Sequence, residues 1–432
     1  MSKIKKVVIK EKTRIDMLLP HQPHHDDFIH TLTNVLSWSR WVGIVGLKRH
    51  IWKIYGACMM CLLLAIEFRA IYKVFKALAG WAVDTVGHRS VTARLAGTMF
   101  YSAAIFALIQ CNYLSHSWKE TSKYWSSLEW ELSNKHVPID KTLRRRMYRS
   151  ALILIFCTAA IYLMNYLVVI DFKCKISYCL KTFVLRTHGF MLLEREYSDW
   201  IGVFILFVHV ISNIIWTLQN LFIILMGMGL TSRYKRLNSY VATVVRGNDR
   251  KEKMSEKLRN QEVLLVYTWK KIREAYTKQA ILVHRVNKSL GGLILVSSFF
   301  DFYFICLQLF YGIVQGISSD GIKHLYFLIH FSWVCGRTVY TILSAAYVNE
   351  YSKLALPHLY KCDSQFYNTE MKRLQRQISR ENIALSGMGF FNLKRSIILQ
   401  MAGIAVTYVL VLVQYDGSDD QILTNSTDAS FK

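Results

Sequence analysis

Polar and aromatic side chains recur at helical spacing inside three otherwise apolar stretches of this 432-residue sequence. His209, Asn213, Trp216 and Asn220 follow one helical face, as do Asp301, Gln308 and Tyr311, and likewise His330, Trp333, Arg337 and Tyr340. Three such stripes exceed what contact with lipid tolerates. They line a wet cavity, or they pack helix against helix. Asp301 and Arg337 are the only charges deep in their stretches, so a mutual ion pair is the structural alternative to ligand contact. A fourth set, Gln400, Ile404, Thr407, Val411 and Gln414, also shares a face, at alternating intervals of four and three. It carries no charge. It suits a pore that closes by dewetting, or else glutamines that hydrogen-bond between helices.

Catalytic signatures are missing. The sequence has no P-loop, no H-E-x-x-H and no nucleophile elbow, so neither an enzyme nor a cofactor is expected. Cys58 and Cys61 form a C-x-x-C inside an apolar stretch, where packing is the simpler role. Cys174 and Cys179 share one loop and are close enough in sequence to pair. His21, His24 and His25 have the composition of a metal site, but they sit in a tail and no metal is expected.

The elements that position these residues are membrane helices. Hydrophobic residues make up 53% of the chain, only four residues are proline, and the formal charge is +25. Greasy and basic together indicate a membrane protein with cationic loops and no nucleic-acid partner. A bilayer crossing needs about 20 apolar residues. Residues 95–114, 151–170, 200–232 and 396–415 supply them without charge, and 290–316 and 325–348 do so except for Asp301 and Arg337. Residues 54–72 make a seventh, with Glu67 and Arg69 near its end. Residues 28–47, amphipathic and containing Trp, read as a helix lying in the interface. No apolar leader precedes them, so no cleavable signal is expected.

Lys and Arg collect in cytoplasmic loops. With these seven crossings, 41 of the 54 fall on the side of the N-terminus, 11 on the other and two within spans. The expected fold is therefore an all-α membrane protein with seven transmembrane helices, a cytosolic N-terminus and an extracellular C-terminus. Residues 1–53 form a cytosolic segment with the interfacial helix. Residues 54–348 hold spans one to six and a long cytosolic loop, 231–289, into which helices extend. Residues 349–395 form a cytosolic helical segment for contacts between subunits. Residues 396–415 are the seventh span and 416–432 the extracellular tail. Asn425 begins an N-x-T sequon on the outer side, whereas the sequon at Asn287 falls inside and should stay bare. There is no internal repeat, which weighs against transporters built of repeated halves. A G-protein-coupled receptor, the alternative reading, has seven spans of opposite orientation.

Near the C-terminus the sequence reads Thr407-Tyr408-Val409-Leu410-Val411-Leu412-Val413-Gln414-Tyr415. This resembles the signature of the insect gustatory receptor family, which usually ends in Phe where Tyr415 stands. Ala384-Leu385-Ser386-Gly387 with Phe390-Phe391, Met226-Gly227-Met228-Gly229-Leu230 before Arg236-Leu237-Asn238, and Tyr303 to Leu309 resemble its sugar-receptor branch. The likeness is clear from about residue 218 to 416.

The resemblance implies a ligand-gated cation channel of four subunits, homomeric or mixed with related receptors, in the plasma membrane and opened by an extracellular sugar. It places Val411, Gln414 and Tyr415 at a constriction on the seventh helix, with Thr407 on the same face. Asp416, Asp419 and Asp420 would then gather cations at the mouth. A sugar site needs groups that bind hydroxyls and flat aromatic faces. His209, Asn213, Trp216, Asp301, Gln308, Tyr311, His330, Trp333 and Arg337 are the candidates.

Overall fold

The computed structural model describes residues 27–45, 50–79, 81, 91–133, 140–169, 176–189, 192, 196–251, 258–314, 321–362 and 367–411. These residues are almost entirely helical. Helix α1 is Asp27–Trp38, α2 His50–Leu78, α3 Val91–Ser133, α4 Leu143–Val169, α5 Ile176–His188, α6 Asp199–Lys251, α7 Leu258–Val314, α8 Gly321–Lys353, α9 Leu356–Tyr360 and α10 Thr369–Arg380. A hairpin of two short strands, β1 Ser386–Gly387 and β2 Phe391–Asn392, leads to α11, Ser396–Val411.

Five helices, α2, α3, α4, α6 and α7, are long and apolar enough to cross a bilayer. The chain is a multi-pass membrane protein. Helix α8, the expected sixth span, has 33 residues, but Lys323, His324, His330 and Arg337 interrupt its apolar run. Helix α11 is apolar, and the described residues end at Val411.

Helices α6 and α7 have 53 and 57 residues, roughly 80 and 85 Å at 1.5 Å per residue. Nothing in their sequence breaks them: of the four prolines, Pro357 alone lies in a described helix, in the first turn of α9, where a missing N–H costs nothing. Both run beyond their apolar parts into basic sequence. There they join the far half of α3, together with α9 and α10, in a helical lobe at the basic end of the molecule.

Helix α6 lies against α8 over much of its length, and Gly227 sets the closest approach. A Cβ there would stand 2.4 Å from the Ser344 carbonyl oxygen, so any side chain would force the backbones apart. Around this contact Phe222, Leu225, Leu290, Leu293, Ile294, Ile342 and Ala345 form a fully dry core. In the lobe, Glu129 of α3 receives both Arg233, through a short contact, and Arg236, at 2.6 Å, from α6. Arg233 Nε also donates to Gln279 of α7 at 2.7 Å, so one guanidinium ties three helices.

Helix α1 is no free interfacial rod. Phe28, Leu32 and Leu36 bury its apolar face in the protein, and Phe28 stacks on Trp125 at 4.2 Å. Helix α11 shows the opposite. Only Ala405 and Val409 are buried, while Gln400, Ile404, Thr407 and Val411 lie exposed along it.

Candidate functional site

The three polar stripes do not face one pocket. They form three separate clusters among α3 to α8.

The deepest cluster joins α6, α7 and α8. Arg337 donates to Asp301 Oδ1 at 3.1 Å with both side chains almost fully buried. Trp216 Nε1 donates to the same oxygen at 3.0 Å, and the Arg337 guanidinium lies over the Trp216 ring, 4.4 Å from its centre. The Ser297 hydroxyl lies 2.7 Å from Asn220 Oδ1 and 3.2 Å from Asp301 Oδ2, and its single proton serves one of the two at a time. Thr341 reaches Asn220 Oδ1 at 3.4 Å. A buried carboxylate and guanidinium persist in an apolar interior only when paired and hydrogen-bonded; here they are paired, and among the described residues Arg337 Nε has no acceptor. The adjoining cavity, lined in part by Ile223, Ser297, Thr338 and Thr341, holds about 10 Å³. That is room for one water and far below the volume of a sugar ring.

A second cluster lies toward the start of α6, among α3, α4 and α5. His209 packs between the rings of Phe100, 5.0 Å away, Tyr162, 5.7 Å away, and His188, 4.8 Å away. Asn213 Nδ2 lies 3.2 Å from His209 Nε2 and donates to the His209 carbonyl at 3.1 Å. Phe100 also meets Trp216 edge-on at 6.0 Å, which links this cluster to the first. Nδ1 of His209 and the Tyr162 hydroxyl, both buried here, have no hydrogen-bond partner among the described residues. Such atoms are rare, and each calls for an explanation.

The third cluster sits nearer the junction of α7 and α8. Gln308 Nε2 lies 2.5 Å from His330 Nδ1, and Tyr326 stacks on His330 at 5.7 Å. Gln308 Oε1 and the Tyr311 hydroxyl are again buried without a partner among the described residues. Trp333 is half-buried against the core. Tyr340 turns away and shares a 2.6 Å hydrogen bond with Ser150 of α4.

Phe100, Tyr162, His188 and Ser297 belong to these clusters but carried no clear signal in the sequence. An isolated aromatic residue or serine in an apolar helix reads as packing. Thr407 and Val411 lie on the exposed face of α11. Gln414, Tyr415, Asp416, Asp419, Asp420 and Asn425 lie outside the described residues, as do His21, His24 and His25. Cys179 is in a disulfide, and Cys174 lies outside the described residues. Among the described residues no group of three or more His, Cys, Asp or Glu could hold a metal ion.

Comparison with known proteins places this geometry in a family. Solved structures of the olfactory receptor OR5 of the insect Machilis hrabei, alone and with eugenol, share the fold with TM-scores of 0.60 and 0.61 at 11% and 13% identity, and cover 90% of this chain and all of OR5. The Drosophila melanogaster gustatory receptor for sugar taste 64a is 27% identical over 332 residues, which are 74% of this chain and 69% of that protein. Gustatory receptor 5a for trehalose, from the same fly, is 26% identical over 320 residues, 73% of this chain and 68% of that one. A family model described as the trehalose receptor matches residues 21–423. The chain therefore belongs to the trehalose receptor family of insect gustatory receptors, which are sensory receptors and not enzymes.

Proposed function

We propose that this chain is a sugar-gated, non-selective cation channel that acts as a sweet-taste receptor in the plasma membrane. One observation carries the reading: a chain of the trehalose receptor family holds, among aromatic rings, buried polar atoms that no group of the described residues satisfies. A sugar presents hydroxyls to such atoms and its flat apolar face to the rings. His209, Asn213 and Tyr162 would hold hydroxyls beside Phe100 and Trp216, and Gln308, Tyr311, His330 and Trp333 would form a second group of contacts. Asp301 accepts from Arg337 and Trp216 and so positions that ring, while Arg337 keeps a buried Nε with no acceptor among the described residues and stays a candidate contact.

Seven crossings with the N-terminus in the cytosol and four subunits around one pore complete the proposal. The subunits are copies of this chain or of related receptors. The seventh helix would line the pore, with Thr407, Val411, Gln414 and Tyr415 at the gate and Asp416, Asp419 and Asp420 gathering cations at the mouth. The exposed apolar α11 supports this arrangement, because such a helix needs lipid or other subunits around it.

The test is current recorded from cells that express this chain, alone and with related receptors, against a sugar panel with G-protein signalling blocked. Sugar-evoked cation current is expected. A response abolished by the blockade, or no current from chains shown to be at the surface, overturns the channel reading.

A further inference from the structure

We propose that Glu67 is a sugar contact: its carboxylate accepts a ligand hydroxyl beside the His209 cluster. This role rests on the sugar-receptor reading and adds a residue of α2 to that site. On α2, Leu63, Ile66, Ala70 and Val74 face the protein, while Leu64, Phe68 and Tyr72 lie exposed. Glu67 sides with the first group and is only 6% exposed. The two cations that follow it on the helix are committed elsewhere: Arg69 and Lys73 reach Glu196, at 2.9 and 3.5 Å. Ser102 of α3 donates to Glu67 Oε1 at 2.6 Å. Oε2 is buried and has no hydrogen-bond partner among the described residues. A carboxylate offers roughly four acceptor sites, and one buried without a counterion needs donors for them. A single hydroxyl does not meet that need.

The surroundings say what the missing donor is. Ser102 follows Tyr101, whose hydroxyl lies within electrostatic range of both Glu67 and Tyr162. The Tyr101 ring is 6.3 Å from His188, and His188 meets His209 edge-on at 4.8 Å. Helices α2, α4 and α6 thus bring three buried atoms about Tyr101 that have no partner among the described residues: Glu67 Oε2, the Tyr162 hydroxyl and His209 Nδ1. An ionised carboxylate only accepts, so it fits a ligand rich in O–H donors and gains nothing from an apolar one. A hydrogen bond to a charged acceptor is also about twice as strong as one between neutral groups. Glu67 would therefore discriminate a sugar from an analogue that lacks the bound hydroxyl.

The test is sugar-evoked current from cells expressing the full chain, alone and with related receptors, with surface protein measured alongside. Monodeoxy sugars, each lacking one hydroxyl, probe the contacts singly. Glu67→Gln keeps the shape and removes the charge. It should reach the surface, keep its maximal current and need about 10- to 150-fold more sugar. One deoxy sugar should be weakened in the unaltered chain yet suffer no further loss in Glu67→Gln, because the absent hydroxyl and the carboxylate are partners. A packing role would weaken every sugar alike. Where Glu67→Gln fails to reach the surface, the same comparison on Glu67→Asp decides, since that variant keeps the charge and withdraws it by one methylene. An unshifted dose-response in Glu67→Gln overturns the proposal: a carboxyl that merely holds a proton or a water is replaced by the amide without loss. Equal loss for all the deoxy sugars overturns it too. No response to any sugar from unaltered chains at the surface removes the sugar-receptor reading, and the role of Glu67 with it.

Discussion

Asp301 accepts from both Arg337 and Trp216 on one carboxylate oxygen, and the Ser297 hydroxyl, shared with Asn220, lies 3.2 Å from the other. Removing one member of a buried ion pair costs about 3–5 kcal/mol, because the other charge is left unpaired. Asp301→Asn alone or Arg337→Gln alone should therefore abolish surface expression, and the double change should restore it. A restored channel with a normal sugar response is the expected result. A well-expressed but sugar-blind double variant would instead make Asp301 a ligand contact. Tyr162→Phe should behave differently. It removes a hydroxyl that no group of the described residues satisfies, so expression should hold while the dose-response shifts about fivefold, the worth of one neutral hydrogen bond near 1 kcal/mol. An unshifted response would place the sugar elsewhere. The pair was legible in the sequence because two lone charges in apolar helices have few affordable states. Tyr162 was not, because a single tyrosine in an apolar run looks the same whether it packs or binds.

Helix α10 shows how one element is held from several sides. Asn368 caps its start by accepting from Met371 N at 2.9 Å, and Met371, Leu374 and Ile378 turn inward against α7. Glu370 accepts from Arg273 of α7 at 2.8 Å and from Arg373 at 2.6 Å. The Arg273 hydrogen bond, with Arg373 beside it, holds the Glu370 carboxyl below the usual carboxylate range. Burial raises Asp140, before α4, but donors from Ser232 and Thr142 and the charge of Arg146 outweigh it and leave a net depression. A depressed carboxylate stabilises the fold above its unfolded value and loses that contribution as pH falls through its folded value. Protection of the α10 amides, taken relative to the intrinsic exchange rate at each pH, should thus fall as pH drops below about 4, the ordinary carboxylate range. In Glu370→Gln protection should already be lower at neutral pH and respond less to acid; an identical acid response would remove Glu370 from the joint. The periodicity of Met371, Leu374 and Ile378 made this helix readable. The partners of Glu370 were not, since Arg273 lies 97 residues away. The hairpin after it was also hidden. Ser386 is bonded twice by Asn287, through its backbone N–H at 2.7 Å and its hydroxyl at 2.8 Å, and Met388 takes a φ of 51° at the turn. The sequence offered only the similarity of Ser386-Gly387 to a family pattern.

Over the whole molecule, the apolar runs marked most of the helices but not their ends. The extension of α6 past residue 232 follows the helical spacing of that loop, whereas sequence beyond residue 114 reads as loop by hydropathy; α3 continues through it to Glu129, which pairs with Arg233 and Arg236. The proposed orientation rests on the 41-to-11 division of Lys and Arg. A tag after Lys432 should stain on intact cells and one before Met1 only after permeabilisation. Asn425 should carry glycan, and Asn287, whose side-chain amide is bonded to Ser386, none. Reversed staining would overturn the orientation and with it the route by which a sugar reaches the site.

The unbroken course of α6 and α7 has a mechanical consequence. Each carries ligand-candidate residues in one half and lobe contacts in the other, with no proline or irregular turn between them at which a push could be absorbed. A rod of about 80 Å that tilts by roughly 3° about its middle carries each end through about 2 Å. Leverage of that kind lets a slight adjustment around one end arrive at the other as a displacement on the scale of an atom, with no segment having to melt or bend on the way.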